Sequence, residues 1–182
     1  MLTKESAYQI LYEMTESPSL LRHARSVSIV MEALARHFGE NEEQYAITGL
    51  LHDADYEKYP DQHPAVVVAR LEALGETAIA HAIKGHYTRW NVPRQSLLDK
   101  CIVAADELTG FIVAAALIRP GRLEGMDARS VLKKLKTKNF AATVDREEVQ
   151  KGADLLGWPL PELIEFIIPV LHAHREALEL TG

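Results

Sequence analysis

The amino-acid sequence predicts an all-α fold. Apolar residues recur every three to four positions along almost the whole chain, which is the spacing of one face of an α-helix. Strict alternation of apolar and polar residues over the length of a strand is hard to find. Residues typical of helix ends separate the periodic segments. We therefore expect a bundle of helices.

Residues typical of helix ends predict where the first three helices begin and end. The first predicted helix covers residues 4–16. Ser17 is the expected N-cap of the second, with Pro18 at the first helical position and Gly39 at the C-terminal end. The third helix lies within NEEQYAITGLLHD, residues 41–53, and a proline-marked loop, YEKYPDQHP, comes shortly after it.

Glycine, proline and turn-rich segments separate the remaining helices. Pro169 lies inside the last helix and is expected to kink it. The predicted ranges are residues 65–75, 76–86, 94–118, 128–142 and 145–157, with the last helix beginning at Pro161.

Length and composition suit a soluble protein of one domain, residues 1–182. The single cysteine, Cys101, cannot form an internal disulfide. Acidic and basic residues are interleaved near the N-terminus, unlike a signal peptide. The longest apolar run, residues 111–118, is far shorter than the roughly 20 residues of a membrane span. We therefore expect a cytoplasmic protein without a membrane partner.

A formal net charge of −6 argues against an extended nucleic-acid partner. It does not exclude a local basic pocket for a small anionic substrate. Whether the chain forms a homo-oligomer stays open at this point.

Two polar residues occupy positions where the helical pattern predicts apolar ones. His23 shares a helix face with Leu20 and Val27, and it is expected to point inward as a metal ligand or as an ordinary core histidine. Asp106 lies in the apolar segment CIVAADELTGFIV and is expected to be buried. A buried, ionised carboxylate is costly unless a cation or several donors meet it. Asp106 therefore needs a partner from another element.

His52 and Asp53 stand side by side at the end of the third helix. They are about 100° apart around the helix axis, so one ion between them can contact both. Gly49, one turn earlier, leaves room for another helix to approach. With His23 and Asp106 they offer two imidazoles and two carboxylates from three helices. This set suits a divalent ion such as Mn²⁺, Fe²⁺, Ni²⁺ or Mg²⁺, with Zn²⁺ also suitable.

The order His23, His52-Asp53, Asp106 resembles the H…HD…D signature of the HD superfamily of metal-dependent phosphohydrolases. The segments LLRHARSV, AITGLLHDADYEKYP, HPAVVVARLEALG and AADELTGFI also resemble small bacterial members of that superfamily. The resemblance covers about residues 18–120. It implies a single HD-type helical bundle, with C-terminal helices from residues 127–182 packed on this core.

Some relatives with two metals place one histidine in a His-Pro pair after the HD pair and another further on. His63-Pro64 and His86 occupy similar places, so the resemblance allows one or two ions per chain. His63 is otherwise a cap or a pocket residue, and His86 a loop residue. The GYP element of the cyclic-dinucleotide phosphodiesterases is absent, so that role does not carry over.

The resemblance implies that a metal-activated water attacks a phosphate ester. Asp53 holds the ion and can orient the water. Asp55 and Glu57 are candidate acids or bases, the alternative for each being a solvated loop acid. Candidate phosphate-binding residues, which are otherwise part of a solvated face, are Lys84, Lys133 and Lys134.

The leading interpretation is a phosphohydrolase, acting as a monoesterase or a diesterase, whose substrate is a small phosphorylated molecule such as a nucleotide. A di-iron oxygenase that cleaves a C–C or C–P bond is the second, because His63 and His86 supply the further ligands that it needs. A metal- or nucleotide-binding sensor without turnover is the third.

Overall fold

The computed structural model describes residues 2–182, and helices are the regular structure throughout this range, with no strand among the described residues. Two short 3₁₀ helices, Pro60–Gln62 and Thr88–Trp90, accompany the α-helices. The α-helices described are α1 (Lys4–Met14), α2 (Pro18–Phe38), α3 (Glu42–Leu51), α4 (Ala65–Ala73), α5 (Thr77–His86), α6 (Leu97–Leu117), α7 (Ala128–Leu135), α8 (Arg146–Leu156) and α9 (Leu160–Ala173). The predicted all-α fold is confirmed.

Local capping signals fix several of the predicted helix ends. Pro18 is the first residue of α2, and Gly39 ends that helix in the left-handed region with a φ of 73°, which glycine adopts without steric cost. Asn41 caps α3 because its side chain accepts a hydrogen bond from the backbone N–H of Gln44 at 2.9 Å. The positions of α2 and α3 therefore follow from the sequence.

The predicted basic helix over residues 128–142 is too long. α7 ends at Leu135, and turns occupy most of residues 137–144. The guanidinium of Arg146 donates to the backbone carbonyls of Ala141 at 2.6 Å and Val144 at 2.8 Å, and also to that of Phe140. These carbonyls are thus satisfied outside a helix.

The chain groups into two compact units, residues up to 102 and residues 103–182, and the division falls inside α6. The expected single domain therefore stays a prediction. In the first unit, side chains of α1, α3, α4 and α5 form a hydrophobic core, joined by single residues of α2 and of the segment after α3. Its members from α1 and α3 include Leu11, Ile47 and Leu50.

A close crossing of α2 and α3 brings two predicted ligands together. A Cβ atom at Gly49 would lie 2.8 Å from the backbone N and Cα of Ser28 and from the carbonyl oxygen of Val27. Only glycine leaves room for this approach, so the predicted role of Gly49 is confirmed. The crossing lies one turn of α3 before His52 and about one turn of α2 after His23.

In the second unit, α7 and α8 both pack against α9. Gly152 of α8 lies so close to α6 that a Cβ atom there would be 2.6 Å from the Cα of Ala104. α9 continues through Pro169 to Ala173 without ending at the proline. Among the described residues no single helix has the length and apolar character of a membrane span, although α8 and α9 meet those criteria as a pair bent by 94°.

Candidate metal centre

Asp53 lies at the centre of a group of four histidines in the first unit. α3 ends at Leu51, His52 is its C-cap, and Asp53 occupies the turn that follows. One carboxylate oxygen, Oδ2, is 3.4 Å from Nε2 of His52 and 3.8 Å from Nε2 of His23. The other, Oδ1, is 3.3 Å from Nε2 of His63 and 3.4 Å from Nε2 of His86. Each oxygen therefore faces a different pair of imidazoles.

The first group includes three residues of the first unit, His23, His52 and Asp53. The Nε2 atoms of the two histidines are 3.1 Å apart, and the ligand atoms of all three residues lie within 4.8 Å of one another. His52 is fully buried and His23 is half-buried. Two helices and the turn after α3 thus present their donor atoms to one small volume.

The second group consists of Asp53, His63 and His86, whose ligand atoms also lie within 4.8 Å of one another. His63 follows the first 3₁₀ helix, and His86 is the last residue of α5. Both side chains are largely buried. The structure therefore brings together the two histidines that the sequence offered for a second ion.

The hydrogen bonds of three histidines determine which ring nitrogen carries the proton. Nδ1 of His52 lies 2.7 Å from the carbonyl oxygen of Gly49, and Nδ1 of His86 lies 2.5 Å from that of Ile83. A carbonyl can only accept, so each Nδ1 carries the proton and donates it. Nδ1 of His63 donates in the same way to the Asp55 carboxylate at 2.7 Å. Their Nε2 lone pairs therefore point toward Asp53.

This donor set fits a divalent cation. Neutral imidazoles whose Nε2 lone pairs face a carboxylate oxygen have no proton to share with it, and a cation between them satisfies both. Metal-binding histidines typically donate their other N–H to a carbonyl or carboxylate, as His52, His63 and His86 do here. The residues therefore fit one ion in each group, with Asp53 common to both.

Electrostatics favour the ionised form of Asp53. Burial raises the pKa of this carboxyl, whereas a proton on Nε2 of His52 or His86, present when no ion occupies the site, lowers it by charge and hydrogen bonding, and the lowering effects are the larger, so that the pKa lies well below its usual range. Asp53 is thus a carboxylate at neutral pH, the form that a metal ion requires.

Sequence comparison agrees with this geometry. The sequence model of the HD domain family matches residues 20–110, half of the chain. This chain belongs to the HD domain family. The family indicates the superfamily of metal-dependent phosphohydrolases, as the H…HD…D order implied, and the matched range includes every histidine and aspartate of the two groups.

This HD domain is also similar to a longer protein. It is 31% identical over 107 residues to ribonuclease Y of Syntrophobacter fumaroxidans (strain DSM 10017 / MPOB). The alignment covers 56% of this chain and 20% of the relative, so the chain spans about a fifth of that protein's length. No solved structure gives a significant match.

Asp55 of the HD domain supports His63 rather than facing solvent. Its side chain is fully buried. One oxygen accepts from Nδ1 of His63, and the other accepts from the backbone N–H of Val67 in the first turn of α4 at 2.9 Å. Both oxygens of Asp55 are therefore engaged in positioning the second group. The sequence offered Asp55 as a catalytic acid or base or as a solvated loop acid, and it did not predict this contact with His63.

Glu57 holds a helix start instead. Its carboxylate accepts from the backbone N–H groups of Glu16 at 2.8 Å and Ser17 at 3.0 Å, next to the beginning of α2. These two hydrogen bonds lower the pKa of Glu57. These contacts indicate a structural role, and a catalytic role for Glu57 stays a prediction.

Of the remaining predicted residues, Lys84 is in α5, and Asp106, Lys133 and Lys134 are in the second unit. The Lys84 ammonium pairs with the Glu72 carboxylate. Lys133 and Lys134 are at the end of α7, and Nζ of Lys134 is 4.5 Å above the centre of the Phe140 ring. Asp106 is in α6 and is half-buried rather than buried. Their roles as phosphate or metal ligands remain predictions.

Proposed function

We propose that this HD domain is a metal-dependent phosphohydrolase that acts on a small phosphorylated molecule. The observation that carries the proposal is the position of Asp53, whose two oxygens face two separate histidine pairs at 3.3–3.8 Å. Such a carboxylate can serve two divalent ions at once. Paired ions are a recurrent arrangement in enzymes that hydrolyse phosphate esters.

When bound, a divalent ion supplies a water of lowered pKa and polarises a phosphoryl oxygen. The chain's own residues hold the donor atoms in place for this. Gly49 and Ile83 fix the rings of His52 and His86 through their carbonyls, and Asp55 fixes His63. Asp53 is partly exposed to solvent, and in this proposal its carboxylate accepts a hydrogen bond from the attacking water.

The similarity to ribonuclease Y supports a phosphoester as the bond that is broken. That relative is named for cleavage of RNA, and this chain corresponds to about a fifth of it. The formal charge of −6 favours a small phosphorylated substrate over an extended nucleic acid. Lys84, Lys133 and Lys134 are proposed as phosphate contacts to be tested by substitution.

A di-iron oxygenase is the second candidate. The existence of a complete second group, with His63 and His86 beside Asp53, is the specific observation that favours it, because such an enzyme needs two irons per chain. Metal analysis separates the two functions. Two irons per chain with a visible absorption band would favour the oxygenase, and Mn, Ni or Mg as the activating metal would refute it.

A phosphatase panel tests the leading proposal. Metal-free protein reloaded with Mn²⁺, Mg²⁺, Ni²⁺, Fe²⁺ or Zn²⁺ is assayed with p-nitrophenyl phosphate, bis(p-nitrophenyl) phosphate, nucleotides and sugar phosphates. We expect release of phosphate or nitrophenolate with at least one metal, and loss of that activity in Asp53→Ala. Asp61→Ala is the matched control, because Asp61 is an exposed aspartate of the first 3₁₀ helix. Equal inactivity of the wild type and Asp53→Ala with every metal would refute the proposal.

A further inference from the structure

Three aromatic side chains lie beside the second histidine group, and none of them is among its candidate metal ligands. They are Tyr56, Tyr87 and Trp90. Tyr56 is 51% exposed and Trp90 is 39% exposed, which places both among the most exposed large hydrophobic side chains of the described residues. Tyr87 directly follows His86 and is half-buried. We call these three residues the aromatic wall.

Ring contacts connect the aromatic wall to the candidate metal centre. The rings of Tyr56 and Tyr87 each pack edge-to-face against His63, with centroids 5.6 Å and 5.3 Å away. The ring of Trp90 then packs edge-to-face against Tyr87 at 5.9 Å. Aromatic surface therefore extends without a gap from a candidate metal ligand to the solvent.

Core packing does not explain this exposure. Burying an aromatic ring is favourable by an amount that grows with the area removed from water, yet the wall leaves large parts of Tyr56 and Trp90 in solvent. Neither residue belongs to the hydrophobic core of the first unit. Exposed apolar surface that is contiguous and adjoins polar, convergent groups is typical of a ligand site.

We propose that the aromatic wall binds the planar base of a nucleoside phosphate while its phosphate lies at Asp53 and His63. This inference rests on the proposed phosphohydrolase function and narrows its substrate class. Stacking on aromatic side chains accepts any base, because every base has a π-face. A sugar phosphate without a base would make the phosphate contacts only, so the wall distinguishes nucleotides from other small phosphates.

The test compares two substrates that differ only in the base. Adenosine 5′-monophosphate and ribose 5-phosphate carry the same phosphate ester on the same sugar. Stacking on one aromatic side chain increases affinity by about 5- to 150-fold per base. We therefore expect kcat/KM of the metal-loaded wild type to be higher for the nucleotide by a factor in that range. In Trp90→Ala the ratio of the two kcat/KM values should fall toward one, and Trp90→Phe should restore most of it.

Tyr12→Ala is the control, because Tyr12 is equally exposed, at 49%, but lies on α1 beside Arg25. Its ratio should equal that of the wild type. A general defect in folding or metal content would lower both rates and leave their ratio unchanged. A wild type that hydrolyses both substrates equally well, or an unchanged ratio in Trp90→Ala and Tyr56→Ala, would overturn the inference while leaving the phosphohydrolase function intact.

A binding measurement separates the two proposals if no substrate is turned over. The chain has two tryptophans, Trp90 and Trp158, so Trp158→Phe leaves Trp90 as the only indole. Adenosine 5′-monophosphate should quench the fluorescence of this variant in the presence of Mn²⁺, and ribose 5-phosphate should not. Quenching without hydrolysis would support base binding by the aromatic wall and refute the proposed phosphohydrolase activity. Equal response to both ligands would refute the wall.

Discussion

Replacement of Asp55 by asparagine is the sharpest test of how the second group is held. Asp55 is fully buried, and its two oxygens accept from Nδ1 of His63 at 2.7 Å and from the backbone N–H of Val67 at 2.9 Å. Asparagine has the same shape, but it offers one acceptor oxygen and one NH₂ group. The variant can therefore accept only one of these two hydrogen bonds.

Each of the two orientations of the introduced amide has a definite cost. If the amide oxygen keeps the bond from Val67, the NH₂ group faces Nδ1 of His63, and the ring proton must move to Nε2, where it blocks the lone pair. If the oxygen keeps the bond from His63, the N–H of Val67 is left buried without an acceptor, at about 1–3 kcal/mol of stability. In both cases the charge behind His63 is lost, and metal affinity falls by roughly 10- to 100-fold.

Two measurements on the purified variant check this prediction. Calorimetric titration of the metal-free protein with Mn²⁺ gives the affinity and the number of ions, and urea denaturation gives the free energy of unfolding. Glu57→Gln is the matched control, because it also neutralises an acid in the same loop but removes no contact to a histidine. Its metal affinity should equal that of the wild type. Wild-type affinity and stability in Asp55→Asn would refute the proposed support of His63.

Three further predictions concern stability and reactivity. Gly49→Ala should lower the free energy of unfolding by about 1–3 kcal/mol or more, because its Cβ atom would lie 2.8 Å from backbone atoms of α2. Gly85→Ala is the control. A Cβ atom there would meet only a side-chain atom, at 3.6 Å, so the free energy of unfolding measured by urea denaturation should not fall. Two backbone hydrogen bonds lower the pKa of Glu57, so its contribution to stability is present above its unfolded pKa, about 4.3, and is lost as the pH falls through the lower folded value. Glu57→Gln should therefore flatten the acid side of the curve of urea midpoint against pH, and an unchanged slope would contradict this. Cys101 is buried, and burial raises the pKa of its thiol to about 12. It should therefore react with a chromogenic disulfide at pH 8 only after urea is added. Rapid reaction of the native protein would contradict this prediction.

The parts of the fold that the sequence predicted are those decided by neighbouring residues. The backbone effects of Pro18, Gly39 and Asn41 are local. Their positions in the sequence therefore locate both ends of α2 and the start of α3. The early end of α7 was missed because it depends on the Arg146 side chain, which folds back onto carbonyls up to nine residues away. No periodic pattern records such a contact.

The candidate site divides in the same way. The positions of His52 and Asp53 followed from their place at a helix end, and Gly49 indicated the close helix. The pairing of Asp55 with His63 depends on how the loop between them folds, and the contact of Tyr87 with His63 depends on where α5 ends. An aspartate eight residues before a His-Pro pair is a signal only after the structure has shown their contact.

When both histidine pairs hold an ion, the shared carboxylate of Asp53 would link the two sites thermodynamically. An ion held by one oxygen would withdraw negative charge from the other, so occupancy of one pair would change the affinity of its neighbour. By reciprocity the reverse coupling would have the same magnitude. Substitutions at Asp53 therefore weaken both positions together and cannot tell one ion from two. His23 on one side and His86 on the other, each on its own helix, are the residues whose separate removal can resolve the order in which ions are loaded.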